Sequence, residues 1–233
     1  MNQYIEQKDI ESVPKISINS LSIILEQMEN SVCRINNNDK CQGTGFFCII
    51  RIYYNLIPVL MTNSHVLDKN DILPGKKINI HLKKKELEII IDEFRITYTN
   101  PLYDVTIIEI KENDGINRTS FLEIDEGIFN DDFNNNYKEK QVYLLHYIKN
   151  DGEISHGRIK RINEDNYNLE HLCNSSAGSA GGPIINGENF KVIGIHKGAS
   201  KRGNFNIGTF LKGLIEDFNK KFNTNKNSIN KKK

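Results

Sequence analysis

Almost no net charge marks this 233-residue sequence: 31 lysines and arginines face 30 aspartates and glutamates, leaving a formal +1. Such a balance excludes the strong overall field that attracts nucleic acid or an anionic membrane, so binding has to be argued from a particular site. The clusters Lys83-Lys84-Lys85 and Lys231-Lys232-Lys233 lack aromatic interleaving and read as solvated charge. Nor does any apolar run approach the roughly 18 residues that a membrane span requires. The first residues, MNQYIEQKDIESVPK, lack the basic-then-apolar layout of a secretory signal. Cysteine is scarce: Cys33, Cys41, Cys48 and Cys173 are irregularly spaced without a CxxC pair. That pattern predicts reduced thiols in an intracellular, cytoplasmic protein. His171 and Cys173 stand two apart, but a single H-x-C lacks the paired spacing of a zinc site, so neither metal nor cofactor is expected. There is no internal repeat.

What is present is a succession of short apolar or β-branched runs broken by Gly, Asn and Asp, the pattern of an all-β protein. One helix precedes them: Leu21, Ile24, Leu25 and Met28 recur at helical spacing over Ser20–Asn30, behind the capping candidates Asn19 and Ser20. Strands are predicted at Ser31–Ile35, Gly45–Ile52, Val59–Thr62, Lys77–Leu82, Leu87–Tyr98 and Val105–Ile110. A polar stretch follows over Lys111–Lys140. A second set comprises Gln141–Tyr147, Ile154–Ile162, Tyr167–Leu172, Gly182–Ile185, Lys191–His196 and Asn206–Thr209, and a helical period closes the chain over Phe210–Phe222. The organisation expected is an N-terminal extension over 1–30, a first six-stranded antiparallel barrel over 31–125 and a linker over 126–140. A second such barrel spans 141–209, then a helix spans 210–222 and a disordered Asn/Lys-rich tail spans 223–233.

Acyl transfer from a peptide needs a nucleophile, a base to take its proton, a carboxylate to fix the base, and backbone donors for the oxyanion. Three segments offer these places. Thr62-Asn63-Ser64-His65-Val66 puts a histidine at the end of an apolar strand that follows the Gly43–Phe47 segment. Tyr103-Asp104-Val105 puts a carboxylate at the head of another. Gly178-Ser179-Ala180-Gly181-Gly182-Pro183 is a glycine-rich turn leading into the apolar pair Ile184-Ile185.

This order, His, Asp and then a G-x-S-G-G-P-like turn, resembles the chymotrypsin-like serine peptidases, especially their cytosolic, bacterial and viral branches, from about Ser31 to Thr209. The resemblance implies the chymotrypsin fold, endopeptidase activity, His65 as general base and Asp104 as its orienting partner. It also implies an oxyanion hole from the N–H groups of Gly178 and Ala180. The departure is at the nucleophile: the family has Ser, or Cys in viral relatives, and this chain has Ala180. A methyl group cannot attack a carbonyl, so the chain is expected to bind and hardly to cleave, losing about a millionfold in turnover. Either a Ser→Ala or Cys→Ala change was introduced, or the chain is a natural pseudoprotease that holds peptides. Ser179 does not replace the nucleophile, because the family's glycine pair directly follows it.

Gly194-Ile195-His196-Lys197-Gly198 resembles the pocket strand of staphylococcal-type glutamyl endopeptidases and of picornaviral main cysteine proteases. There the histidine, and a Ser or Thr five residues before the nucleophile, grip Glu or Gln. The matching positions are His196 and Ser175, which predicts cleavage after Glu or Gln by an active form. Lys197, Gly198 and Ala199 are expected to pair with a protein or peptide substrate in extended form. His81, His146 and His156 are expected to have no chemical part. Glu6 and Glu11 would be self-cleavage points if the glutamyl preference holds.

Overall fold

The computed structural model describes residues 16–36, 42–52, 55–164, 167–201 and 203–230, with side chains of the last helix given as far as Phe222. Cys41, Glu6, Glu11 and the last three lysines lie outside the described residues.

The architecture is all-β with a helix at each end, as the strand pattern predicts. A helix, α1 (Ile18–Ser31), opens it. Its cap is Ser17, whose hydroxyl accepts the N–H of Ser20 at 3.0 Å, so the cap falls earlier than the Asn19 and Ser20 expected. Of the apolar stripe, Ile24 and Met28 are buried, whereas Leu21 and Leu25 remain over 40% exposed. Only half of the predicted face packs on the body.

The first sheet is built from β1 (Val32–Asn36), β2 (Gly43–Ile52), β3 (Asn55–Thr62), β4 (Lys77–Leu82), β5 (Lys85–Ile90), β6 (Thr97–Asn100), β7 (Val105–Glu109) and a short β8 (Leu122–Glu123). Its hydrogen-bonded order is β5-β4-β1-β2-β3-β7-β6, with β8 running parallel to β2. It is therefore an open sheet of eight strands, where a closed six-stranded barrel was expected. The single run expected over Leu87–Tyr98 is two strands, because Asp92 Oδ1 accepts the N–H of Phe94 and turns the chain between β5 and β6.

The second sheet closes as expected. Strands β9 (Gln141–Ile148), β10 (Asp151–Ile162), β11 (Asn168–His171), β12 (Pro183–Asn186), β13 (Val192–Ala199) and β14 (Asn206–Phe210) form a six-stranded barrel in the order β10-β11-β14-β13-β12-β9. Between the sheets, the polar stretch contains β8 and a short helix, α2 (Phe133–Tyr137), which buries Phe133 and Tyr137. The final helix, α3 (Leu211–Asn230), runs past the expected stop at Phe222, so residues 223–230 are helical where a disordered tail was expected.

Two apolar clusters hold the chain together. One lies inside the first sheet around Ile35, Phe47, Leu60 and Ile80, and Ala180 packs at its margin. The other extends from α1 through Phe46 and Met61 to Leu144 and Phe210 in the second and Phe218 in α3. Phe46, Phe47 and Phe210 are fully buried, each contributing roughly 1.5–3 kcal/mol of transfer free energy. Because one cluster is continuous across both sheets, it fixes their relative position, and the site lies where they meet. Among the described residues, no helix is long and apolar enough to cross a membrane.

Candidate active site

Strand register brings His65 and Asp104 together. Strands β3 and β7 are antiparallel neighbours with Thr62 opposite Thr106. A turn leaving β3 and a turn entering β7 therefore emerge side by side, carrying His65 and Asp104. His65 Nδ1 stands 2.7 Å from Asp104 Oδ2, and Asp104 Oδ1 accepts the Ser64 hydroxyl at 2.8 Å and the His65 N–H at 3.1 Å. Asn63, fully buried, donates its side-chain amide to the Asp104 carbonyl at 2.8 Å. That bond helps hold Asp104 at φ +55°, a left-handed conformation uncommon for any residue but glycine.

Burial alone would raise the Asp104 carboxyl. The hydrogen bonds and charge of His65, with those from Ser64 and the His65 N–H, outweigh it and hold the group below its ordinary value. Asp104 is thus an anion at neutral pH. The His65 side chain is about half exposed, so one ring nitrogen is fixed by the carboxylate while the ring still meets solvent.

The turn carrying position 180 is locked to the start of β2. Thr44 N–H donates to the Ala180 carbonyl at 2.8 Å, and a Cβ at Gly43 would collide with Val66, the neighbour of His65. Both halves of the site therefore rest on one short stretch. Gly181 has φ +90°, and a Cβ there would lie 1.9 Å from the Thr44 carbonyl oxygen, so only glycine fits. Gly178 has φ +104° with the Tyr147 carbonyl close behind it. Among the described residues, the N–H groups of Gly178 and Ala180 donate to no protein acceptor, which leaves two neighbouring donors available to an outside oxygen.

His196 lies on β13 beside this turn: its N–H donates to the Gly182 carbonyl and its carbonyl accepts the Gly181 N–H, both at 2.9 Å. Its ring is buried, with Nδ1 3.1 Å from Nε2 of His171, a partner absent from the sequence expectation. Cys173 N–H donates to His171 Nδ1 at 3.3 Å. A neutral His171 ring accepting there carries its proton on Nε2 and donates to His196 Nδ1, which leaves the His196 proton on Nε2. Burial, with the other rings nearby, pushes His171 down to about 4 and His196 well below the usual histidine value. The pair is uncharged at neutral pH.

Ser175 is half-buried on the segment between β11 and the turn. Lys197 donates to Asn168 at 2.9 Å; burial lowers its ammonium below the ordinary lysine value, and Asp104 pulls in the opposite sense. Pairing of β13 with β12 ends at Ile195, while β14 continues opposite Gly198 and Ala199. Among the described residues, one backbone edge beyond His196 is therefore unpaired, and a Cβ at Gly198 would meet nothing within 4 Å.

His146 is not idle. Its Nδ1 bonds the Ser179 hydroxyl at 2.7 Å, and that hydroxyl accepts the Ser176 N–H at 2.9 Å. Burial pushes His146 down to about 4. These contacts turn Ser179 into the interior, away from a nucleophile's place. Its partner, 33 residues away, left no local sequence signal. Cys33, Cys48 and Cys173 are free and buried, and burial pushes each thiol far up, that of Cys173 to about 12.

Residues 43–195 match the family described as trypsin-like peptidase domain. Among solved structures, the Rv3671c protease of M. tuberculosis in a serine-to-alanine mutant, inactive form is 19% identical, with a TM-score of 0.60 over 90% of this chain and 96% of that one. The serine endoprotease from Yersinia pestis is 15% identical, with a TM-score of 0.61 over 90% of this chain and 67% of that one. The active form of the Rv3671c protease is 16% identical, with a TM-score of 0.57 over 90% and 88% of the two chains. These likenesses show a shared fold. No curated protein matches the sequence.

Proposed function

This chain belongs to the trypsin-like peptidase family, and we propose that it carries the site of an endopeptidase that cleaves by acyl transfer from position 180. The carrying observation is the 2.7 Å contact between His65 and a carboxylate whose second oxygen is held by Ser64 and by the His65 N–H. A carboxylate fixed on both oxygens orients the imidazole and stabilises the imidazolium that forms on proton transfer. In this reading His65 takes the nucleophile's proton and returns it to the leaving amine. The N–H groups of Gly178 and Ala180 receive the oxyanion.

With alanine at position 180 the base has no proton to take, and the chain binds substrate without cleaving it. An extended peptide adds to the unpaired edge at Lys197–Ala199, while His196 and Ser175 receive the side chain before the scissile bond. Glu and Gln both present an oxygen that these donors can meet. The uncharged His171–His196 pair supplies one N–H and no positive charge, which favours the neutral amide of Gln over a carboxylate that would be left buried and unpaired.

A second reading rests on Ala180 itself: a natural pseudoprotease that uses the same cleft as a non-catalytic peptide-binding module. The deciding experiment profiles Ala180→Ser and Ala180→Cys proteins on a peptide library, with His65→Ala added to each. Cleavage that the His65 change abolishes establishes the peptidase. Peptide binding without turnover in both variants establishes the binding module.

A further inference from the structure

Thr44 touches more of the site than any residue considered so far, yet it is neither a base, an acid nor a nucleophile. It is fully buried and uses every polar atom it has. Its hydroxyl donates to the Gly178 carbonyl at 2.8 Å and accepts the Tyr147 N–H at 2.9 Å. Its backbone N–H donates to the Ala180 carbonyl at 2.8 Å, and its carbonyl accepts the Thr62 hydroxyl at 2.7 Å. Through one residue, then, the turn at 178–181 is tied to β9 and to the end of β3, three residues before His65.

The backbone bond would survive any substitution, so the side chain is what matters. Gly178 sits at φ +104°, a region open to glycine, and glycine has the widest range of alternatives. Nothing about the residue itself selects this conformer. The Thr44 hydroxyl does, by pinning the Gly178 carbonyl on the side facing Tyr147. That bond fixes the peptide between Gly178 and Ser179, and with it the rotation at Gly178; the N–H groups of Gly178 and Ala180, on either side of that peptide, have no protein acceptor among the described residues. Without the hydroxyl, a buried carbonyl and the Tyr147 N–H would both lose their partner, a penalty the turn relieves by rotating.

We infer that Thr44 is a positioning residue for the oxyanion-binding turn, its hydroxyl holding the Gly178–Ser179 peptide so that the N–H groups of Gly178 and Ala180 on either side of it are presented together. The inference rests on the peptidase reading of the site. It assigns to the side chain an effect felt where negative charge develops on the bound carbonyl, and not in holding the peptide before reaction.

The test uses two settings so that the two ideas fail separately. In the chain with Ala180 intact, amide hydrogen exchange is followed for the 176–182 turn in Thr44→Val and Thr44→Ser proteins. Thr44→Val is expected to speed exchange of the turn at least ~10-fold relative to the barrel strands, while Thr44→Ser leaves it unchanged. In the Ala180→Ser background, Thr44→Val is expected to lower kcat by ~10²-fold, the scale of losing an oxyanion donor, with KM altered less than about threefold. Affinity for a peptide aldehyde should fall in parallel, and Thr44→Ser should restore both. Unchanged turn exchange in Thr44→Val overturns the inference even if Ala180→Ser proves inactive and the peptidase reading fails. Equal damage by Thr44→Ser, or a loss carried by KM and peptide affinity, overturns it as well. Should Thr44→Val not fold, Thr44→Ser alone decides, since a requirement for the methyl group would contradict a role for the hydroxyl.

Discussion

His171 Nε2 lies 3.1 Å from His196 Nδ1, with neither ring more than 1% exposed. Together with His146 they form a set of buried histidines whose rings resist protonation: His146 and His171 are pushed down to about 4, and His196 well below its usual value. In the unfolded chain each titrates near 6.5. Between those values the unfolded chain binds protons that the folded chain refuses, so stability is complete above about pH 6.5 and declines as the pH falls toward 4. Asp104 has a folded value below its ordinary one, so its contribution is lost only at still lower pH. Urea midpoints measured from pH 7.5 to 4.5 are expected to fall steadily, with His171 contributing to the decline. His171→Gln should flatten the profile, and a level midpoint in the unmodified chain would contradict this account.

If His196 receives the side chain before the scissile bond, as proposed, the same pair sets a preference among ligands. A neutral donor at the base of the pocket hydrogen-bonds an amide oxygen at little cost, whereas a carboxylate placed there has no cation to meet it. Calorimetry on the Ala180 chain should show a peptide ending its recognised half in Gln bound at least ~10-fold more tightly than the Glu peptide at pH 7.5, a difference of about 1.4 kcal/mol. Replacing His196 with Ala should erase the discrimination. Tighter binding of the Glu peptide would show that a positive charge reaches the pocket.

Much of this architecture is legible in the residues, for physical reasons. Lys77–Leu82 alternates strictly, with Ile78, Ile80 and Leu82 inside, and its bounds are found as expected. Where legibility fails, the cause is local chemistry or distance. The turn at Asp92–Arg95 contains neither Gly nor Pro and is made by the Asp92 side chain, so Leu87–Tyr98 reads as one strand. His65, Asp104 and the glycine turn stand out because their spacing in sequence mirrors a known order. The ties that orient them, Thr44 to Gly178 across 134 residues and His171 to His196 across 25, involve residues that look ordinary in their own neighbourhoods.

Two groups hold Asp104 Oδ1 and one ring holds Oδ2, so the atoms can be tested separately. In the Ala180→Ser background, Asp104→Asn is expected to cut kcat by ~10⁴-fold, because an amide in that place favours the wrong imidazole tautomer. Ser64→Ala removes one of two donors to Oδ1 and leaves the His65 N–H in place, so a loss nearer ~10-fold is expected. Its effect should appear in kcat, with the ring contact to Oδ2 and the His65 N–H contact to Oδ1 still in place. Equal losses from the two changes would mean that Ser64, and not the carboxylate, governs the ring.

Glycines at the site divide into those the packing demands and those the substrate could use. At Gly181 an added Cβ would lie 1.9 Å from the Thr44 carbonyl oxygen and 2.5 Å from the Thr62 hydroxyl, at φ +90°. Neither neighbour can yield easily, because the Thr62 hydroxyl donates to the Thr44 carbonyl and Thr44 is tied through its own hydroxyl to the Tyr147 N–H of the second sheet. Gly181→Ala is therefore expected to cost at least about 3 kcal/mol, seen as a fall in Tm of about six degrees or more. At Gly198 an added Cβ meets nothing within 4 Å, but φ +156° is a conformation that L side chains rarely adopt, so Gly198→Ala is expected to cost backbone strain of about 1 kcal/mol and a few degrees of Tm, less than Gly181→Ala. If an extended peptide pairs with the open edge there, the same methyl should also weaken peptide binding by standing in the strand's path. A Gly198→Ala protein that folds and keeps native peptide affinity would move the binding edge elsewhere, and a stable Gly181→Ala protein would mean that the turn does not rest on Thr44.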